Sequence, residues 1–375
     1  MDRGTVTTRF DTTAGVVVVR NSGEPEPWAA RLGYELGETG GLAEPGPEEF
    51  GRINSVALDR RGRLYVADAQ AREIRVFDPG GSFLATWGRS GEGPGEFGAP
   101  YSLGWLGDTL AVLDPRVGRI GLFDLNGSWL GQRPYPGGVS GSTSLVRFYP
   151  TGRAEFYVLG MRATPSRLES RWVRHTPAGE GESLSFFKRA DGISGGIECP
   201  RPDGAISFFQ VPFAPRLIQT PGPGGRLAVA WTAEYRVTYV GADGDTARVV
   251  ERTHSPVPVG EAEWEESLAE YRQFRREWPG ARCSPRMPGK PATKPAIANL
   301  YHDRLGRLWV EAITGTGPRF DVFERDGRLI GQLPTPPYVG RVAPYLDETR
   351  MAVVVADSLG VQRVRVLELE PPGSR

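Results

Sequence analysis

Lysine is nearly missing from this chain of 375 residues: only Lys188, Lys290 and Lys294 occur, so almost all positive charge is arginine. Lysine and arginine together number 45, as do aspartate and glutamate. A balanced chain lacks the field that draws in polyanions, so no nucleic-acid partner is expected. No run of about 18 apolar residues occurs, which excludes a membrane-spanning helix. The opening segment MDRGTVTTRFDTT is polar throughout and lacks the apolar stretch of a secretory signal. Cysteine is limited to Cys199 and Cys283, too few for a zinc cluster and compatible with either one disulfide or two separate thiols. The three histidines, His175, His254 and His302, fall in different parts of the chain, and a three-histidine zinc site would need all of them to converge. No GxSxG, HExxH, GxxxxGK[ST] or CxxC motif is present, which removes the common hydrolase, zinc protease, nucleotide and redox classes.

Glycine and proline are plentiful, 50 and 33 residues, as expected of many short strands joined by tight turns. The strands recur. GRLYVAD begins at Gly62, GDTLAVLD at Gly107, GRAEFYVLG at Gly152, GRLAVAW at Gly225 and GRLWVEA at Gly306, and the first two steps are 45 residues each. TRMAVVVAD from Thr349 is a weaker sixth copy. A second element follows most of these: EIRVFDPGGSFL from Glu73, RIGLFDLNGSWL from Arg119, EYRVTYVGADGD from Glu234 and RFDVFERDGRLI from Arg319. Each is a strand, a glycine turn and another strand, and the glycines supply the positive φ that tight hairpins need. INSVALD from Ile53 and IANLYHD from Ile297 precede the first element, which makes four strands per repeat, here called a to d.

Intervals of roughly 40 to 50 residues with four strands each are those of propeller blades. The expected fold is an all-β, six-bladed β-propeller of four-stranded antiparallel blades in a single domain over 1–375. The blades are expected near 53–88, 100–133, 142–188, 214–253, 296–333 and 340–369. The last lacks a clear fourth strand, and AGVVVVRN (14–21) is a strand without a blade, so the N-terminal strand is expected to close the last blade and remove an exposed edge. The insertion 254–295 is expected to hold one amphipathic helix at about 261–278, with Trp264, Leu268, Tyr271, Arg275 and Trp278 along one side. Because strand direction alternates, d-to-a and b-to-c connections emerge at one end of each sheet, and the longest loops gather there. That helix-bearing face is the expected place for binding.

YVADAQAREIRVF (65–77), AVLDPRVGRIGLF (111–123) and GRSGEGPGEFGAP (88–100) resemble NHL repeats, and more narrowly bacterial six-bladed propellers in which a GEGPGEF segment links two blades. The resemblance implies an extracytoplasmic location, exported or lipid-anchored, while the broader six-bladed group includes metal-dependent lactonases and lyases. The favoured reading is a non-enzymatic binding or scaffold protein, expected to be a monomer without a cofactor. It would hold a protein, peptide or glycan through Asn54, Arg72, Tyr101, Arg116, Asn299 and Arg341. The alternative is a lactonase or lyase with Ca, Mn or Zn in the central channel, for which Asn54, Asn299 and His302 are the available ligands. Asp68 and Asp114, which end equivalent strands, are expected to hold loops through backbone hydrogen bonds rather than to line a charged ring.

Overall fold

Short apolar runs, many of them closed by a glycine turn, form strands along most of the described residues. The computed structural model describes residues 6–37, 46–135, 148–150, 156–163, 168–176, 178–185, 196–223, 225–241 and 243–371. The expected blade margins 142–147 and 186–188 lie outside these residues. The N-terminal segment contains β1 (Thr7–Thr13), β2 (Val16–Ser22) and β3 (Ala29–Leu36). Sheet I is β4 (Ile53–Leu58), β5 (Leu64–Asp68), β6 (Glu73–Phe77) and β7 (Phe83–Trp87). Sheet II is β8 (Ser102–Leu106), β9 (Thr109–Asp114), β10 (Arg119–Phe123) and β11 (Trp129–Pro134). Sheet III is β12 (Phe148–Pro150), β13 (Phe156–Ala163), β14 (Leu168–Thr176) and β15 (Gly179–Ser185).

A separate hairpin, β16 (Gly196–Pro200) and β17 (Ile206–Gln210), precedes sheet IV, which is β18 (Leu217–Gly222), β19 (Arg226–Trp231), β20 (Arg236–Val240) and β21 (Thr246–Arg252). Two short helices follow, α1 (Glu261–Ser267) and α2 (Ala269–Glu277). Sheet V is β22 (Ile297–His302), β23 (Leu308–Thr314), β24 (Gly317–Phe323) and β25 (Leu329–Pro334). Sheet VI contains β26 (Tyr345–Leu346), β27 (Arg350–Ala356) and β28 (Gln362–Glu370). No helix among the described residues is long and apolar enough to cross a membrane.

Within each sheet, consecutive strands pair antiparallel, and sheets I and II, II and III, IV and V, and VI and I contact each other in the manner of propeller blades. One apolar cluster joins sheets VI, I and II: the Tyr65 ring meets Trp87 and Trp105, each at 5.1 Å between centroids. A second joins sheets IV and V, and a third joins V and VI around Trp309, Phe320 and Met351. Burying one such side chain contributes roughly 1.5–3 kcal/mol, so the stacked faces are the main source of stability.

The turns repeat one design. Asp59 Oδ1 accepts the backbone N–H groups of Arg61 and Arg63 at 2.8 and 2.9 Å, and Asp303 does the same for Leu305 and Arg307. Gly62 closes the first of these turns at φ +86°, a conformation any side chain would strain. At the other end of the sheets, Asp68 accepts from Gly51, Arg52, Gln70 and Ala71, and Asp114 accepts from Gly98, Ala99 and Arg116. Both aspartates are buried loop anchors, as expected. Arg119 donates to the carbonyls of Glu92, Gly93 and Glu96, so the GEGPGEF segment is folded around a guanidinium.

Two expectations are corrected. The strand at 16–22 does not complete the last sheet; β2 pairs parallel with β21 and, with β1, extends sheet IV to six strands. The fourth strand of sheet VI is instead β3, antiparallel to β28 with Val364 opposite Leu36. The run of four valines suits a strand with neighbours on both sides, and β2 lies between β1 and β21 with Val18 and Val19 buried. Between these strands the chain touches sheet V, where Trp28 N–H donates to Gln332 O at 2.7 Å. The segment 16–36 is thus a strap across the outer strands of sheets IV, V and VI. The expected single helix is interrupted at Leu268, and Phe274 rather than Arg275 is buried on its inner side. Arg275 instead donates to Ala281 O at 2.6 Å and holds the turn after α2.

Candidate functional site

The long connections on either side of sheet IV fold against each other. The β16–β17 hairpin gains a third backbone partner from the stretch after α2, where Glu198 and Ser284 exchange hydrogen bonds of 3.0 and 2.8 Å. Cys199 and Cys283, 84 residues apart, form a disulfide there. Ile197, Cys199, Phe274 and Ala281 make a small core, and Phe209 packs on Phe274 at 4.8 Å between centroids. Two insertions that are distant in the chain therefore make one cap. The period of the repeat showed that extra chain was present but carried no signal for the hairpin.

Between this cap and sheets IV and V lies a cleft of about 520 Å³, within the range of small-molecule and peptide pockets. It is bounded by the starts of β18 and β22 and by the β23–β24 turn, hence at the end of the sheets where d-to-a and b-to-c connections emerge. Its walls are mainly apolar: Pro212, Phe213, Ala298, Ile313 and Pro318. Phe213 sits at φ +56°, a costly conformation for a bulky side chain, and is held by packing against Val259, Trp264 and Leu268. At the rim, Lys294 pairs with Glu263 at 2.6 Å and lies 5.7 Å from the Phe213 ring.

The polar end of the cleft is Arg216. Its backbone N–H donates to Thr232 Oγ1 at 2.8 Å, and its guanidinium reaches Ala298 O at 3.0 Å and Asn299 Oδ1 at 3.5 Å. Among the described residues it has no carboxylate partner. Asn299 Nδ2 in turn donates to Glu311 Oε2 at 2.7 Å, and Tyr338 donates to the same oxygen at 2.8 Å. Tyr301 and Tyr338 share a hydrogen bond of 3.1 Å. Burial first, then Tyr301 and Glu311, push the Tyr338 hydroxyl far above its ordinary pKa, so it stays a donor. The Glu311 carboxylate, only 6% exposed, is held by neutral donors.

Of the residues expected to bind, Asn299 alone belongs to this constellation. Asn54 donates to Pro100 O at 3.2 Å, Arg72 at φ +61° donates to Ser90 Oγ at 2.7 Å, and Tyr101 packs beside Ala111 and Ile120 in sheet II. Arg116 and Arg341 are exposed and do not line the cleft. For the metal alternative, Asn299 and His302 lie three positions apart on a regular stretch of β22, so their side chains leave opposite faces. His302 Nε2 lies 3.1 Å from Tyr239 OH, and Gly222 approaches the ring closely. Burial pushes His302 down to about 4, and it does the same to His175, with Arg133 adding to the effect. Among the described residues, no three His, Cys, Asp or Glu side chains gather as a metal would require.

Glu311 was within reach of sequence reasoning. In the aligned repeats its position is Ala67 in sheet I and Leu113 in sheet II, both fully buried, so an acid there breaks the pattern. Arg216 and Tyr338 lie in connections, where no repeat registers them.

No protein-family model matches the chain, and no curated protein matches it in sequence. Among solved structures it is similar to a Bacteroides fragilis protein, at 11% identity over 94% of this chain and 99% of that one with a TM-score of 0.48. It is also similar to virginiamycin B lyase from Staphylococcus aureus, at 10% identity over 91% and 99% with a TM-score of 0.43. A calcium-binding regucalcin from Agrobacterium tumefaciens matches at 13% identity over 93% and 97%, with a TM-score of 0.39. Likeness at this level carries nothing about activity.

Proposed function

We propose that this chain is a binding protein built on a closed ring of six NHL-like blades, and that it takes an extended peptide into the cleft beneath its cap. The observation that carries this reading is the cleft itself: apolar walls ending at an arginine that has no carboxylate partner among the described residues. An apolar side chain of the ligand would occupy the space between Phe213, Ala298 and Pro318, and a ligand carboxylate would meet Arg216 in a charge-assisted hydrogen bond. A peptide suits these walls better than a glycan, because Phe213 is their one aromatic face and sugars stack on several. Ring closure through β3 is supported by its pairing with β28 and by the contacts of β27 with β4. The cap disulfide supports an oxidising, extracytoplasmic setting.

The test is panning of a random peptide display library against the purified chain, followed by affinity measurements on the variants Arg216→Glu and Ala298→Trp. Peptides enriched on the native chain should carry an acidic group beside an apolar residue, and each substitution should weaken them about tenfold or more. Enrichment indifferent to both substitutions would overturn the reading.

A further inference from the structure

A second cavity, of about 150 Å³, opens at the opposite end of sheet V from the cleft, among the turns that join first and second strands. Turns of three sheets meet there: Arg60 and Arg61 from sheet I, Asp108 from sheet II and Arg304 from sheet V, with Trp105 as one wall. Three arginines thus line one small space, with Arg60 and Arg61 exposed and Arg304 half-buried, and its volume suits a single polyatomic ion.

Their charge is poorly compensated. The Asp59 carboxylate is consumed within its own turn by Arg63 Nε at 2.7 Å, Tyr65 OH at 3.2 Å and two backbone N–H groups. Asp108 lies 3.8 Å from Arg60, but both side chains are about two-thirds exposed, and such a pair contributes little. Among the described residues, Arg304 makes one long hydrogen bond, 3.4 Å to Tyr345 OH. The Arg61 guanidinium has no hydrogen-bond or ion-pair partner among the described residues. Gathering like charges around one cavity costs Coulomb energy unless an anion sits between them. An independent observation points the same way: Trp105, which lines the cavity, is 3% exposed, and its indole N–H has no acceptor among the described residues. Buried donors are nearly always paired, so an unpaired one at the wall of a basic cavity calls for a missing acceptor.

We propose that this cavity binds one small oxyanion, the phosphate or carboxylate group of a ligand, between Arg60, Arg61 and Arg304. The bound oxygens accept from guanidinium N–H groups, and the indole N–H of Trp105 orients toward the same charge. The site is separate from the cleft and does not rest on the peptide reading.

The test uses the full chain, titrated at constant ionic strength with inorganic phosphate and, separately, with succinate. Two signals are followed: heat of binding, and the indole N–H resonance of Trp105, assigned by its loss in Trp105→Phe. At least one anion should bind saturably and move that resonance. Arg61→Gln and Arg304→Gln should each weaken binding about tenfold, while Arg226→Gln, an exposed arginine on β19, should leave it unchanged. Phosphate alone binding identifies a phosphate site, and succinate alone binding identifies a carboxylate site. Without added anion, Arg61→Gln should melt no lower than the native chain, because it relieves repulsion. No saturable binding of either anion, or equal weakening by Arg226→Gln, would overturn the proposal.

Discussion

Trp28 stands edge-on to Trp309, with ring centroids 5.3 Å apart and planes at 84°, although the two lie near opposite ends of the chain. The Arg307 guanidinium lies 5.1 Å from the Trp28 ring, and Trp28 is 3% exposed. This contact pins the strap to sheet V midway between its two strand pairings.

Trp28→Ala should therefore cost about 3–5 kcal/mol, read as a lower denaturant midpoint. Gly331 lies directly under the indole: a Cβ there would come within 1.8 Å of Trp28 Nε1. Gly331→Ala should expel the ring, and the double variant should be little worse than Trp28→Ala alone. Additive losses would show that the glycine matters for another reason.

Reduction should release the cap without unfolding the sheets. The Cys199–Cys283 bond spans 84 residues, and a disulfide typically contributes about 2–4 kcal/mol, toward the upper end for a long loop. Under reducing conditions, or in the paired Cys199→Ser and Cys283→Ser variant, proteolysis within 196–213 and 254–295 should accelerate while strand-rich far-ultraviolet dichroism persists. Equal cleavage rates in oxidised and reduced protein would show that the small core around Phe274 suffices alone.

Acid should weaken the fold through histidine burial. In the unfolded chain His302 titrates near 6.5, and in the fold near 4. Between those values the unfolded state holds more protons, so stability rises with pH across that window and is lost as pH falls from about 6.5 toward 4. The full effect is about 3 kcal/mol for one histidine. His302→Gln should flatten the melting temperature against pH from 7 to 4 relative to the native chain, and an identical slope would show that His302 does not take part.

The four-stranded sheets were legible because an inner strand is buried on both faces and leaves a dense apolar mark; β5, LYVAD, is buried at every position. Outer strands leave almost none. The first five residues of β3, AARLG, are exposed, so the strand that completes sheet VI has no amphipathic pattern to read, whereas the valines of β2 announce a strand without saying which edge will take it. Either side of the break at Leu268 the helices join different clusters, α1 through Trp264 with Val259 and Phe213 and α2 through Phe274 with Ile197 and Phe209, a tertiary arrangement absent from the helical period. Asn299 was legible as a polar residue at the start of a first strand, but its partners were not, since Arg216 and Tyr338 reach it from connections that belong to no repeat.

The strap also sets an order on folding. β3 precedes every strand of sheet I in sequence, yet its partner β28 follows all the other described strands. Sheets I, II, III and V can form from local hairpins, while sheet IV must recruit β2 and sheet VI must recruit β3 from far earlier in the sequence, the slowest kind of contact to make. The unpaired edges of β28 and β3 are then the surfaces open to wrong partners during that interval, and a chain halted before Gln362 would carry β3 without the strand it pairs with.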